Sequence, residues 1–281
     1  MGVCETKNNC AESNKPKEIS VPKDNFNNIN EPMKLIQTNL KSIRIQEGKV
    51  SQIPLEKVDR STFNVSESIC RVKIKTENER IEATGFLLAF WIDLERFYCF
   101  VTNEHIIKKE LLNNNINIYI SNDSKILTYI NLNNNKRYMK SFTDIGLDIT
   151  VVEILDEDNI SKDYYLYPEY TEYINNNLIN NSIYIPQYPG GKELMNARGK
   201  IKEINKYEFT HLANTEQGAS GSPIFLENSI NVIGIHKEGN LYKKENYGDF
   251  IYPAINIIKD DIRKKRNNGK YINGKYIWDD D

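Results

Sequence analysis

An all-β domain, either a sandwich or a barrel, is predicted by three features of this chain. From residue 68 onward, short segments rich in β-branched and aromatic residues recur; no long helical pattern separates them; and asparagine runs at 113–115, 133–135 and 175–177 interrupt them as loop padding. Residues 1 to about 65 come first and are rich in Asn, Lys, Glu and Pro. They lack sustained periodicity apart from a short apolar stretch around 33–45, so a flexible leader is expected over 1–66. Strands are then expected at 69–74, 84–91, 97–102, 116–120, 126–130, 149–154, 183–186, 200–204, 223–226, 231–236 and 250–252. After the last of them, Pro253 followed by Ile255, Ile257, Ile258 and Ile262 predicts a short helix from Ala254 to about Lys265, closing a single domain over 67–265. A charged, aromatic tail occupies 266–281.

The chain is long enough to bury a sizeable core. Its 281 residues include 37 basic and 39 acidic side chains, well mixed, for a net charge of −2. That balance leaves no electrostatic footprint for nucleic acid. The start Met1-Gly2-Val3-Cys4-Glu5-Thr6 has no apolar core of a secretory signal, and no later apolar run is long enough to span a bilayer, so an intracellular, cytoplasmic location is expected. The cysteines Cys4, Cys10, Cys70 and Cys99 show no metal-ligand spacing and are expected as free thiols; no metal or cofactor is called for. The same N-terminus fits an acyl-acceptor pattern, with Gly2 as myristoylation site and Cys4 available for palmitoylation, which would attach the protein to a membrane.

The most informative segment is Gly218-Ala219-Ser220-Gly221-Ser222-Pro223, an elbow of small residues that presents one serine just before an apolar strand. Glycine reaches backbone angles that a residue with Cβ resists, so the N–H groups of Gly218 and Ser220 can turn toward one point and receive an oxyanion. A serine hydroxyl is a poor nucleophile at neutral pH and needs a base, which in turn needs a group to orient it. Of the three histidines, His105 follows an apolar strand at a position where active-site loops gather, which favours it as the base over His211 and His236. Asp148 opens the strand expected at 149–154 and is placed to hold the imidazole; Asp144, in a similar Asp-Ile setting broken by Gly146, competes for that role.

These residues carry a family resemblance. Thr84-Gly85-Phe86-Leu87, Thr102-Asn103-Glu104-His105, Asp148-Ile149-Thr150-Val151-Val152, the serine elbow and Val232-Ile233-Gly234-Ile235-His236, in this order, resemble a trypsin-like serine peptidase of the chymotrypsin fold. The resemblance spans about residues 67 to 262 and five separated motifs. It implies two six-stranded antiparallel β-barrels, with His105 and Asp148 from the first barrel, Ser220 from the second, and an oxyanion hole made by the N–H groups of Gly218 and Ser220. The order His, Asp, Ser departs from the Ser, acid, His order of α/β-hydrolases, and Ser222 stands where their second elbow glycine would be. Within the trypsin-like group the chain is most similar to the glutamyl endopeptidases. That likeness implies that His236 and Thr215 hold the carboxylate of a substrate glutamate through charge-assisted hydrogen bonds.

One departure from the family affects activation. Ala219 replaces the polar or acidic residue usual before the serine, so an ion pair with a newly liberated amino terminus cannot form, and activation by N-terminal cleavage is disfavoured. The expected function is a serine endopeptidase acting on protein or peptide substrates. The competing readings are a catalytically idle peptide-binding module and a membrane-tethered scaffold in which the leader dominates.

Overall fold

The computed structural model describes residues 56–57, 65–75, 80–122, 126–169, 176–267, 271–272 and 275–276. Most of the expected leader, with Gly2, Cys4 and Cys10, and most of the expected tail lie outside the described residues. Two sheets account for nearly all the regular structure.

The first sheet is built from β-branched and aromatic segments as its sequence requires. It contains β2 (Ile69–Lys75), β3 (Arg80–Ile92), β4 (Glu95–Thr102), β5 (Asn117–Ser121), β6 (Ile126–Asn131), β7 (Met139–Ser141) and β8 (Thr150–Glu153), in the order β6-β5-β2-β3-β4-β8-β7. All its pairings are antiparallel, and the sheet forms a half-barrel. The β3–β4 hairpin pairs Ile92 with Glu95 across the two-residue turn Asp93-Leu94, where Asp93 takes φ +55° as a tight hairpin demands. Val72, Leu87, Phe100, Ile118, Ile120 and Val152 form the core on one side of this sheet.

The second sheet comprises β1 (Glu56–Lys57), β9 (Tyr167–Pro168), β10 (Ser182–Gln187), β11 (Met195–Asn205), β12 (Glu208–His211), β13 (Pro223–Leu226), β14 (Asn231–Asn240) and β15 (Glu245–Phe250). Its order β11-β10-β13-β14-β15-β12 is closed by pairing of β12 back onto β11, giving a six-stranded barrel. β1, inside the segment expected as leader, adds to the edge at β11, and β9 runs parallel to β14. Closure removes the exposed edges that an open sheet must protect.

A third core lies between the sheets, where Phe86, Leu88 and Val101 meet Tyr188, Phe225 and Ile235. The C-terminal helix α2 (Tyr252–Asn267; α1 is the single turn Val65–Ser68) caps the same core with Ile255, Ile258 and Ile262, a spacing that puts all three on one helical face. Its last turn is tied to the β3–β4 hairpin: Arg266 bonds Glu95 at 2.6 Å and Arg263 bonds Asp93 at 2.9 Å.

The sequence placed the final strand at 250–252, whereas the strand covers Glu245–Phe250 and Tyr252 already begins the helix. Glu245, Asn246, Tyr247 and Asp249 read as polar loop, yet Asn246, Tyr247 and Asp249 pair with strands on both sides, and Glu245, Asn246 and Asp249 are buried in the closed barrel. The strands β7 and β12 were missed because they are short and each carries a single large apolar residue, Met139 and Phe209. Cys70 and Cys99 are buried free thiols.

Candidate active site

Strand pairing assembles the first half of the site. Thr102, the last residue of β4, pairs with Thr150, the first of β8. Because the strands are antiparallel, the segments beyond these two residues leave the sheet at the same end, carrying His105 and Asp148 side by side. The two loops are then fastened together: Asn103 Nδ2 donates to the Asp148 carbonyl at 2.8 Å, and Thr150 Oγ1 donates to the Ile107 carbonyl at 2.8 Å.

His105 Nδ1 lies 2.6 Å from Asp148 Oδ2, and the His105 backbone N–H donates to Asp148 Oδ1 at 3.0 Å. Burial pushes the Asp148 carboxyl up, but the hydrogen bonds and charge of His105, with the charge of Lys237, outweigh it and hold the group below its ordinary value. An ionised carboxylate only accepts, so the Nδ1 proton stays on the ring and Nε2 is left as a base. Asp144 takes no part in this contact: it sits exposed in the turn Thr143–Ile145, 3.4 Å from Lys109 Nζ.

The second barrel brings the serine. β13 starts at Pro223, paired with Ile235 of β14, so the elbow before it runs alongside His236 and Lys237. Gly221 N–H donates to the His236 carbonyl at 3.0 Å, His236 N–H to the Ser222 carbonyl at 2.8 Å, and Ser220 Oγ to the Lys237 carbonyl at 3.3 Å. Lys237 and Glu238 also act on the first-sheet pair, since their charges bear on Asp148 and, for Glu238, on His105. The Ser220 hydroxyl thus bonds the same short stretch of β14 whose charged side chains, Lys237 and Glu238, bear on the His105–Asp148 pair. Gly218 and Gly221 hold φ +98° and +87°, and a Cβ on Gly221 would collide with the Thr84 carbonyl oxygen and the Thr102 hydroxyl. Both positions therefore demand glycine.

Lys237, Asp249 and Glu208 were not singled out as a group by sequence reasoning. Lys237 is the extra residue of a bulge between His236 and Glu238, and its Nζ bonds Glu208 Oε2 at 2.9 Å. Burial disfavours its charge, but Asp249, Glu208 and Asp148 together raise its pKa. Fully buried Asp249 accepts the Asp148 N–H through Oδ2 at 2.6 Å. Burial raises its carboxyl to about 6, against the opposing charge of Lys237. Lys237 and Asp249 each lie just outside the strand segments expected at 231–236 and 250–252, so nothing local in the sequence marked them as a group.

Thr215 and His236 are both fully buried. His236 Nδ1 stands 3.2 Å from Nε2 of His211, a residue to which the sequence assigned no task. Burial, then the neighbouring His236, drives the His211 pKa well down, so His211 is neutral. Thr215 Oγ1 is buried without a protein hydrogen-bond partner among the described residues.

The sequence model of the family described as "Trypsin-like peptidase domain" matches residues 83–235, more than half of the chain. Among solved structures, the serine endoprotease from Yersinia pestis aligns with a TM-score of 0.52 at 12% identity, over 71% of this chain and 64% of that one. The active form of the Rv3671c protease from M. tuberculosis aligns at 0.47 and 16% identity, over 71% of this chain and 87% of that one. Tobacco etch virus protease aligns at 0.47 and 15% identity, over 69% of this chain and 78% of that one. No curated protein sequence matches. The likeness to the Yersinia structure establishes a chymotrypsin-like two-barrel fold.

Proposed function

Because this chain belongs to the trypsin-like peptidase family and is a serine endopeptidase, we propose that Ser220, His105 and Asp148 form its catalytic triad. The observation that carries this reading is the 2.6 Å approach of His105 Nδ1 to Asp148 Oδ2, with Ser220 Oγ bonded to the carbonyl of Lys237, whose charge bears on Asp148. Ser220 Oγ attacks the scissile carbonyl carbon while its proton passes to His105 Nε2. The carbonyl oxygen becomes an oxyanion received by the N–H groups of Gly218 and Ser220. Collapse breaks the C–N bond, and His105 gives its proton to the departing amine, leaving an acyl ester on Ser220. Water then repeats the sequence, releasing the acid and restoring the hydroxyl. Asp148 remains ionised throughout and stabilises the imidazolium.

The substrate preference belongs to the same proposal: an acidic side chain before the scissile bond, held by His236 and Thr215. Two features support it. The buried Thr215 hydroxyl has donor capacity to offer, and neutral His211 can donate its Nε2–H to His236 Nδ1 at 3.2 Å, the tautomer pair that leaves His236 with Nε2–H to present. A carboxylate in so dry a site requires such donors.

A fluorophosphonate probe tests the chemistry; labelling is expected to vanish in both Ser220→Ala and His105→Ala. Labelling retained in either variant excludes the triad. A peptide-library cleavage profile tests the pocket, with Glu or Asp preferred in the wild type and the preference reduced about 10- to 100-fold in His236→Leu. A profile without acidic preference refutes the pocket assignment and leaves the triad untouched.

A further inference from the structure

We infer that the hydroxyl of Thr84, a fully buried residue of β3, sets the oxyanion-binding loop in its working conformation, in the place that an ion pair at residue 219 cannot fill. The inference rests on Ser220 being the nucleophile, and Thr84 is a positioning residue that does not touch substrate.

Ala219 is fully buried and carries no polar atom beyond its backbone. The peptides around it must be oriented by something else, because a rotated Gln217–Gly218 peptide would present the Gln217 carbonyl where the proposed Gly218 donor should be. Thr84 supplies that orientation from the first sheet. Its N–H donates to the Ser220 carbonyl at 3.0 Å, and its Oγ1 donates to the Gly218 carbonyl at 2.7 Å. The two carbonyls flanking Ala219 are thus drawn to one residue. Trans peptides point C=O and N–H in opposite directions, so fixing each carbonyl fixes the adjoining N–H as well. The outcome is visible in the next bonds: Ala219 N–H donates to the Glu216 carbonyl at 2.9 Å and Gly221 N–H to the His236 carbonyl at 3.0 Å.

Those bonds fix the backbone on either side of the donors, and the same hydroxyl reaches the donor peptide at Gly218 through a neighbouring turn. Thr84 Oγ1 accepts the Tyr188 N–H at 3.1 Å, which anchors the start of the turn at Pro189–Gly191. In that turn Gly190 N–H donates to the Gln217 carbonyl at 2.6 Å. Gln217 C=O and Gly218 N–H belong to one peptide, so this bond turns the Gly218 N–H to the opposite side. Thr84 is itself held, since its carbonyl accepts the Thr102 hydroxyl at 2.9 Å. One neutral hydroxyl therefore joins two loops of the second barrel to a strand of the first, with no need for a liberated amino terminus.

The test compares full-length wild type, Thr84→Val and Thr84→Ser by fluorophosphonate labelling rate, by kcat and KM on a cleaved peptide, and by crystal structure. Valine keeps the volume and loses the hydroxyl. We expect its kcat and labelling rate to fall about 10²- to 10³-fold, the loss typical of one oxyanion donor, with KM changed less than about threefold. Thr84→Ser should recover most of that loss, and in the valine variant the Gly218 carbonyl should have rotated. A folded valine variant with wild-type kcat, or an unmoved Gly218 carbonyl, overturns the inference while leaving the peptidase reading intact. If the valine variant does not fold, Thr84→Ala is put to the same criteria. A wild type that is not labelled at Ser220 sinks the peptidase reading and this inference together.

Discussion

In the first sheet the groups of the site are side chains, His105 and Asp148, which project from the paired ends of β4 and β8. In the second barrel they are mostly backbone: the elbow 218–221, its positive-φ glycines and the carbonyls of His236 and Lys237. The first sheet sets its pair by strand register, with bonds between the two loops and one from Asp148 N–H to Asp249 added. The barrel loop has no such register and is held through bonds to residues far away in sequence, including Thr84 in the other sheet. The comparison teaches that one half of the site supplies proton chemistry and the other supplies fixed dipoles. Damage to each half should therefore look different.

The largest effect is expected from Asp148→Asn, which keeps the shape of the pair but removes the charge and disturbs the His105 tautomer. A drop in kcat of about 10⁴-fold with little change in KM is expected; a drop under tenfold would break the claim that the first sheet supplies proton chemistry. Next in size is Arg137→Met. Arg137 and Asp158 form a buried ion pair at 2.7 Å, with Arg137 also donating to the Glu153 carbonyl at 2.8 Å. Leaving Asp158 without its partner should cost about 3–5 kcal/mol in urea unfolding. Because this pair braces the β7–β8 side of the first sheet, a folded variant should retain the elbow geometry of the barrel.

Asp249 sharpens the comparison through pH. Its carboxyl titrates near 6 in the folded protein and about 4 when unfolded, so the folded state holds the proton more tightly. Its contribution to stability therefore falls as pH rises from about 4 to 6, by about 3 kcal/mol. Asp148 behaves oppositely: its depressed pKa contributes stability that is present above the unfolded value and lost on acidification through the folded one. Unfolding of wild type and Asp249→Asn at several pH values should give curves that diverge between pH 4 and 6, with the variant gaining relative stability toward higher pH. Parallel curves would remove Asp249 as a titrating neighbour of Asp148. The smallest effect is expected at Asp144→Ala, an exposed partner of Lys109. Activity should be unchanged and stability altered by less than about 0.5 kcal/mol; a loss comparable to that of Asp148→Asn would reverse the assignment of the acid.

Much of this was legible along the chain. Ser220 among small residues, His105 after an apolar strand and Asp148 before one are local patterns, and the glycine requirement at 218 and 221 follows from the tightness of the elbow. His211, Lys237 and Asp249 were not legible, because their meaning depends on strand pairings between residues distant in sequence. The bulge that makes Lys237 an extra residue cannot be read from alternation, since a bulge is a break in alternation.

The sequence by itself determined a β-rich domain, the residues of the proposed triad and their order along the chain, and the absence of an ionisable side chain before Ser220. The sequence favoured Asp148 over Asp144, and Asp148 is the one that lies 2.6 Å from His105. Only the tertiary structure decided the burial of His236 against His211 and the grip of Thr84 on the elbow. The physical reason is that propensity and glycine freedom are properties of neighbours in the chain. A hydrogen bond between residues as distant in sequence as Thr84 and Gly218 exists only after two sheets have folded against each other.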